Sequence, residues 1–439
     1  MPVEHGSLSR RGFMERSIAV AAAAGMPLWY AREISAAARA QADAARRKIG
    51  PNDQIVMAAI GVGGQGTGIM KAAIRKPGVK FVAVCDVDEA RRNKAVETVG
   101  KDTQAYNDFR ELLSKEKVDA VTIGTPDHWH ALTAIAAMKA GCDVYCEKPL
   151  SLTIAEGKAM LKAARANDTI FQTGSQQRSD ARYRLACQLV RSGRIGKVHT
   201  VEARIGDNPV GGPFKTSDVP KGLDWDFWQG QTPDVAYIKE RCHYEFRWWY
   251  EYSGGKLTDW GAHHNDIAQW ALGKDETGPV AVTAVGSEPA KKANSYNCPY
   301  HFAVTYEYAD GTRLVTTSEG ENGNRFIGDD GWIFVSRSRI AASDKKLIDE
   351  PLPKDGEKLY ESNDHMGNFM AGVRTRKRPI CDVAVGHRSA SVCHIGNIAL
   401  RLGVPLRWDP SAETFTGPGA DKANAMVSRE MRSPWKLEV

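Results

Sequence analysis

The sequence predicts an α/β chain in which an N-terminal doubly wound parallel sheet is followed by an α/β domain built on a large open, mostly antiparallel sheet. Three observations predict it. Short, wholly apolar, β-branched runs alternate with helical stretches up to about residue 167. A glycine-rich turn, Gly61-Val62-Gly63-Gly64-Gln65-Gly66, joins the first run to the first helix. Beyond Gly174 the runs alternate in polarity and are separated by turns such as Ala309-Asp310-Gly311. Continuous apolar runs suit strands buried on both faces, and alternating runs suit strands with one wet face. With 439 residues the chain exceeds what one hydrophobic core usually spans, so two domains are expected.

Taken in order, Ser9-Arg10-Arg11-Gly12-Phe13-Met14 precedes an apolar stretch, 18–26, and then the small residues Ala36-Ala37-Ala38. Paired arginines ahead of a short apolar stretch and a cleavable site read as a twin-arginine export peptide over residues 1–42, and hence as a periplasmic protein. The stretch is short and broken by Gly25 and Pro27, which argues against a membrane span. Residues 55–60, 81–84, 120–123 and 143–146 are the expected parallel strands, and 89–99, 128–140 and 154–166 the helices, of a dinucleotide-binding unit over 50–173. Residues 198–204, 280–286, 302–308, 313–318 and 332–336 are strands of a substrate-binding unit over 174–380. Its segment 206–255, rich in Trp, Tyr, Gly and charge, is too long for a plain connector and reads as a functional loop region. The remainder, 381–439, with a helix over 386–402, is expected to pack back on the first unit.

Composition narrows the function classes. The net charge of +6 comes from interspersed signs rather than basic runs, so no nucleic-acid partner is expected. Eight cysteines form no C-x-x-C pair and read as buried free thiols. Neither His263, His264 and Asp266 nor His128 and His130 has a recognised ligand spacing, so no metal is expected.

The glycine turn carries specific chemistry. Gly61 permits a tight turn, Gly63 and Gly64 let a pyrophosphate approach the backbone, and Gly66 lets helix and strand pack closely, with Gln65 opening the helix. Asp86 ends the second strand twenty residues after Gly66, where a carboxylate accepts hydrogen bonds from adenine-ribose hydroxyls. Its charge opposes a 2′-phosphate and favours NAD, while Arg91 and Arg92 keep NADP open.

Two further segments follow strands: Gly124-Thr125-Pro126-Asp127-His128-Trp129-His130 and Glu147-Lys148-Pro149. Together with the glycine turn they resemble the glucose-fructose oxidoreductase, inositol dehydrogenase and MocA (Gfo/Idh/MocA) family over nearly all of the chain beyond the leader. The resemblance implies that Lys148 lies beside nicotinamide and substrate, and that its peptide bond to Pro149 can be cis. Thr125, Pro126, His130 and Glu147 would then shape the cofactor cleft.

Asp259 and His263 are spaced i, i+4 and share a face on one helix. The D-x-x-x-H-x-x-D pattern they form with Asp266 also appears in inositol dehydrogenase-like members, where the histidine is the base. His263 is therefore assigned as general acid/base, Asp259 as its partner or a substrate ligand, and register favours His263 over His264. Trp225, Trp228, Trp248, Trp249, Tyr250 and Tyr252, near Arg247, read as faces of a carbohydrate pocket, with Gln176, Gln177 and Arg178 as added hydroxyl ligands.

The expected function is hydride transfer between nicotinamide and a sugar, polyol or cyclitol carbinol. The alternatives are an NAD-retaining glycosidase acting through a transient keto-sugar, a glucose-fructose-type transhydrogenase, and a sugar-binding protein without turnover. A dimer or tetramer formed through the open sheet is expected.

Overall fold

The computed structural model describes residues 25–27, 30, 54–353 and 356–439. The twin-arginine motif and Ala36 to Ala38 lie outside them. The first unit runs β1 (Ile55–Ile60), α1 (Gly64–Ile74), β2 (Val79–Cys85), α2 (Glu89–Val99), β3 (Gln104–Tyr106), α3 (Phe109–Lys115), β4 (Ala120–Ile123), α4 (Asp127–Lys139), β5 (Asp143–Cys146), α5 (Ile154–Ala166) and β6 (Phe171–Thr173). All six strands are parallel in the order β3-β2-β1-β4-β5-β6. The winding reverses between β1 and β4, the place where such sheets bind ligands beyond their carboxyl ends. β4 and β5 are buried along their whole length, as continuous apolar strands between helix layers must be. The three-residue strands β3 and β6 escaped the sequence because so few residues show no period.

The second unit contains α6 (Ala181–Arg191), β7 (Val198–Arg204), α7 (Trp225–Gln229), α8 (Lys256–Asp259), α9 (Gly261–Ala271), β8 (Ala281–Gly286), β9 (Phe302–Glu307), β10 (Arg313–Thr317), β11 (Gly323–Gly328), β12 (Gly331–Val335) and β13 (Ile340–Ala342). After them come α10 (Lys346–Asp349), α11 (His365–Thr375), α12 (Val383–Leu402), β14 (Leu406–Asp409), β15 (Thr414–Thr416) and α13 (Ala420–Asn424). Nine strands form one sheet in the order β13-β12-β11-β7-β10-β9-β8-β14-β15, and only β7 and β10 pair in parallel. Helices α6, α9 and α12 cover one face, and the alternating burial of β9 and β10 marks the other as wet.

Two expectations change. Segment 381–439 does not simply return to the first unit: α12 packs between α5 and β8, and β14 and β15 extend the open sheet, so the segment ties the units together. Segment 206–255 is a small core of its own, in which Trp225, Trp248, Trp249 and Tyr252 pack with Tyr237 and Tyr296. It is fastened to the first unit by Glu89 N to Gly222 O at 2.9 Å, Asp224 N to Val87 O at 3.0 Å and Asn107 Nδ2 to Asp224 Oδ2 at 2.9 Å.

Tyr30 is buried against the second unit with the Arg184 guanidinium 6.0 Å from its ring centre. All eight cysteines are buried and free. Among the described residues no helix is long and apolar enough to cross a membrane.

Candidate active site

A cleft of about 530 Å³ runs from the glycine turn to the first helices of the second unit. Gly61 takes φ +77°, and a Cβ there would lie 2.5 Å from Thr125 N; one on Gly66 would lie 1.8 Å from Gly61 O. Only glycine lets these backbones meet. A Cβ on Gly64 would meet nothing within 4 Å, and α1 has no side-chain cap. The first-turn amides are therefore left for an anion, because a helix start carries unpaired N–H groups.

At the same end of the cleft, Asp86 accepts from Val62 N at 2.8 Å and Asp88 N at 3.0 Å, and burial pushes its carboxyl up. Thr125 Oγ1 is buried without a hydrogen-bond partner in the same wall. Open amides, a cleft-lining carboxylate and an orphaned hydroxyl fit a dinucleotide. A Cβ on Gly63 would meet Arg91 Nη1 at 2.4 Å, so a guanidinium also stands at this end.

At the other end the Lys148–Pro149 bond is cis. Lys148 Nζ donates to Asp259 Oδ1 at 2.7 Å and to Asp259 O at 3.2 Å. An ammonium has three protons, so one remains for a reacting oxygen. Arg247 Nε donates to Asp259 Oδ1 at 3.4 Å. Burial pushes the Asp259 carboxyl up, but Lys148 and then Arg247 outweigh it and hold the group below the usual carboxylate range, an anion throughout.

Trp260, between α8 and α9, keeps a right-handed helical backbone, so the helical spacing carries through and His263 reaches the same cleft as Asp259. Burial, then Lys148 and Arg337, push His263 well below its ordinary value, so its ring is neutral. Nδ1 is buried without a partner, leaving Nε2 to exchange a proton with the cleft. The 100° step of the helix turns His264 inward, where Nε2 meets Asn322 Oδ1 at 3.0 Å.

Glu147 joins the two ends, accepting from Gln65 Nε2 at 2.9 Å and Gln176 Nε2 at 2.8 Å. Pro126 and Gln176 line the cleft as expected. His130 does not. It is buried behind the wall, with Nδ1 on Pro149 O at 2.8 Å and Nε2 on Thr125 O at 3.0 Å, and so ties the two motif loops together. His128 is likewise buried, on Trp228 O.

Eight expected substrate contacts lie elsewhere, Gln177, Trp225 and Tyr252 among them, whereas Trp228 does line the cleft. Arg178 and Asp266 form a sealed ion pair completed by Asp275 and Ser389. Trp248 and Trp249 donate their indole N–H to Glu245 Oε2 and Glu240 O inside the aromatic core. Tyr250 faces a different cavity. These aromatics are explained by packing, since 206–255 needs an apolar core to hold its shape.

Their places in the cleft are taken by Arg247, Trp260, Tyr244 and Arg337, whose guanidinium lies 4.5 Å from the Trp260 ring centre. Arg337 follows β12, far along the chain, and no spacing ties it to the motifs.

Family models described as "Oxidoreductase family, NAD-binding Rossmann fold" and "Oxidoreductase family, C-terminal alpha/beta domain" match residues 55–175 and 211–437. The chain belongs to the Gfo/Idh/MocA oxidoreductase family. Within it, this Gfo/Idh/MocA protein is 34% identical over 128 residues to the inositol 2-dehydrogenase of Salmonella typhimurium, covering 29% of this chain and 38% of that one. It is 28% identical over 231 residues to a glycosyl hydrolase family 109 protein of Stenotrophomonas maltophilia, covering 50% and 46%. The alignments thus span under half of either relative. The WlbA dehydrogenase of Bordetella pertussis, solved with NADH and UDP-GlcNAcA, superposes with a TM-score of 0.63 at 19% identity, covering 81% of this chain and 98% of that one, and shares the fold.

Proposed function

We propose that this protein transfers a hydride between NAD and a hydroxyl-bearing carbon of a sugar or polyol, cyclitols included. The observation that carries the reading is a single cleft that places Lys148, Asp259 and His263 at one end and the glycine turn with Asp86 at the other. Gly63, Gly64 and Asp86 would hold the dinucleotide, which supplies the hydride acceptor or donor when bound.

The chain's own residues handle the hydroxyl. Neutral His263 takes the hydroxyl proton at Nε2, and the remaining Lys148 N–H steadies the alkoxide as charge develops on oxygen. Asp259 aims Lys148, and Arg247 supports Asp259. Asp86 favours NAD, whereas Arg91 beside Gly63 is the group through which NADP would be accommodated.

The test is to denature purified protein, identify any dinucleotide released, and follow NADH absorbance as native protein meets free sugars and polyols. Sustained NADH formation supports the dehydrogenase. Protein that neither carries nor binds a dinucleotide overturns it.

The likeness to a glycosyl hydrolase family 109 protein supports a second reading, in which a transient ketone acidifies a neighbouring C–H, a substituent is eliminated and the hydride returns. Aglycone release from protein holding stoichiometric NAD, without NADH accumulating, selects it. Glucose-fructose-type transhydrogenation is a third variant, scored by product sugars.

We also propose export through the twin-arginine route, on Arg10 and Arg11, and assembly through the wet face of the nine-stranded sheet. The intact mass of exported protein and its sedimentation decide these two points.

A further inference from the structure

One carboxyl at the cleft has no part in the chemistry above. Asp127, the first residue of α4, lines the cleft although it is only 5% exposed. Lys148, Arg247 and Asp259 act on it electrostatically from the cleft side, and Cys146 and Glu156 from the sides packed behind it. Its Oδ2 accepts from Ser253 Oγ at 2.5 Å.

Ser253 lines a second cavity, about 470 Å³, that shares no lining residue with the cleft and holds Glu251, His394, Arg401, Arg429 and Glu430. Among the described residues, the Asp127–Ser253 bond is the only side-chain hydrogen bond joining the two linings. A residue of one lining is thus hydrogen-bonded, side chain to side chain, to a residue of the other.

A carbinol that gives up a hydride also leaves one proton behind, and with dinucleotide and polyol filling the cleft, bulk water is excluded from its floor. We propose that Asp127 and Ser253 relay this proton from the cleft into the second cavity, a role that rests on the hydride-transfer reading.

The steps move one proton and no electrons. The proton taken from the substrate hydroxyl reaches Asp127 through water in the cleft, since no direct hydrogen bond joins Asp127 to Lys148 or His263 among the described residues, and forms an O–H bond on the carboxyl. The Ser253 hydroxyl then turns, accepting that proton while its own O–H breaks toward water in the second cavity, and Asp127 is an anion again. Burial pushes the Asp127 carboxyl up to about 7, against the Ser253 hydrogen bond and the Arg247 and Lys148 charges, so it gains and loses a proton near neutral pH. Asp127 and Ser253 act in this scheme through cleft water rather than on the substrate.

The test uses the dinucleotide-loaded protein as wild type, Ser253→Ala, Ser253→Thr and Asp127→Asn. In stopped flow with a polyol, reduction is read by absorbance and proton release by a pH indicator. Release keeps pace with reduction in wild type and Ser253→Thr and lags roughly tenfold or more in Ser253→Ala. Synchronous release in Ser253→Ala overturns the relay.

A second readout needs no turnover. The infrared carboxyl band missing from Asp127→Asn exchanges with deuterium oxide, and the exchange slows roughly tenfold in Ser253→Ala but not in Ser253→Thr. Equal exchange rates overturn the relay as well. If wild type reduces no dinucleotide with any polyol, the hydride reading fails, and the exchange rates still decide the relay.

Discussion

Asp259 and Asp266 stand seven residues apart on one helical stretch, and each pairs with a cation, Lys148 at 2.7 Å and Arg178 at 2.8 Å. Seven residues are two turns, so the two carboxylates share a face. What separates them is completeness. Arg178 is fully buried and spends its N–H groups on Asp266 and Asp275, with Ser389 donating to Asp266. Buried at 1% exposure, Arg178 has no face open to a ligand. Lys148 spends two of its three protons, and its neighbours His263 and Arg247 face open space. A satisfied buried ion cluster holds a fold, whereas one left a donor short at a cleft can do chemistry.

The comparison breaks most sharply at the lysine. Lys148→Ala is expected to lower turnover roughly 10²–10⁴-fold while the unfolding midpoint hardly moves, because the cleft lets water solvate Asp259. Turnover within twofold of wild type would remove Lys148 from the mechanism.

Arg178→Ala is expected to do the reverse. It leaves the buried Asp266 and the half-buried Asp275 without their cation and should cost about 3–5 kcal/mol in denaturant unfolding, with kcat per folded molecule unchanged. A normal stability curve would show that the sealed cluster is dispensable.

A subtler probe is the His263 titration. Because Lys148 and Arg337 favour the neutral ring by charge repulsion, removing either charge raises its pKa. NMR of the ring should therefore show it titrating at higher pH in Lys148→Met than in wild type, and by a smaller step in Arg337→Gln. In wild type a base with a lowered pKa stays competent on acidification, so the acid limb of kcat/KM is expected below about 6.5, the ordinary histidine value. A limb at or above that value contradicts the assignment of His263.

The smallest effect belongs to Trp249→Phe. It loses one indole hydrogen bond to Glu240 O, worth about 1 kcal/mol of stability, together with part of the ring packing under the Arg241 guanidinium, and leaves KM for the polyol unchanged. A large rise in KM would return the aromatic segment to the substrate pocket.

Much of this was legible from residue order. Continuous apolar runs placed β1, β2, β4 and β5, and the glycine spacing with Asp86 marked the dinucleotide end. The i, i+4 spacing chose His263 over His264, because each is a local rule set by backbone geometry within a few residues. Short edge strands, and β11 bounded by glycines at both ends, left no such trace.

The sequence by itself determined which residues have the chemistry for the reaction: a lysine after a strand, a carboxylate and a histidine one turn apart, and a glycine turn. Only the tertiary structure decided which polar groups remain unsatisfied. It sealed Arg178 with Asp275, buried Trp225, Trp248 and Trp249 in a core of their own, set His130 behind the wall, brought Arg337 into the cleft and hydrogen-bonded Ser253 of the second cavity to Asp127 of the cleft. The reason is physical: whether a charge is spent on the fold or free for a ligand depends on partners that arrive from distant parts of the chain, and no local spacing encodes them.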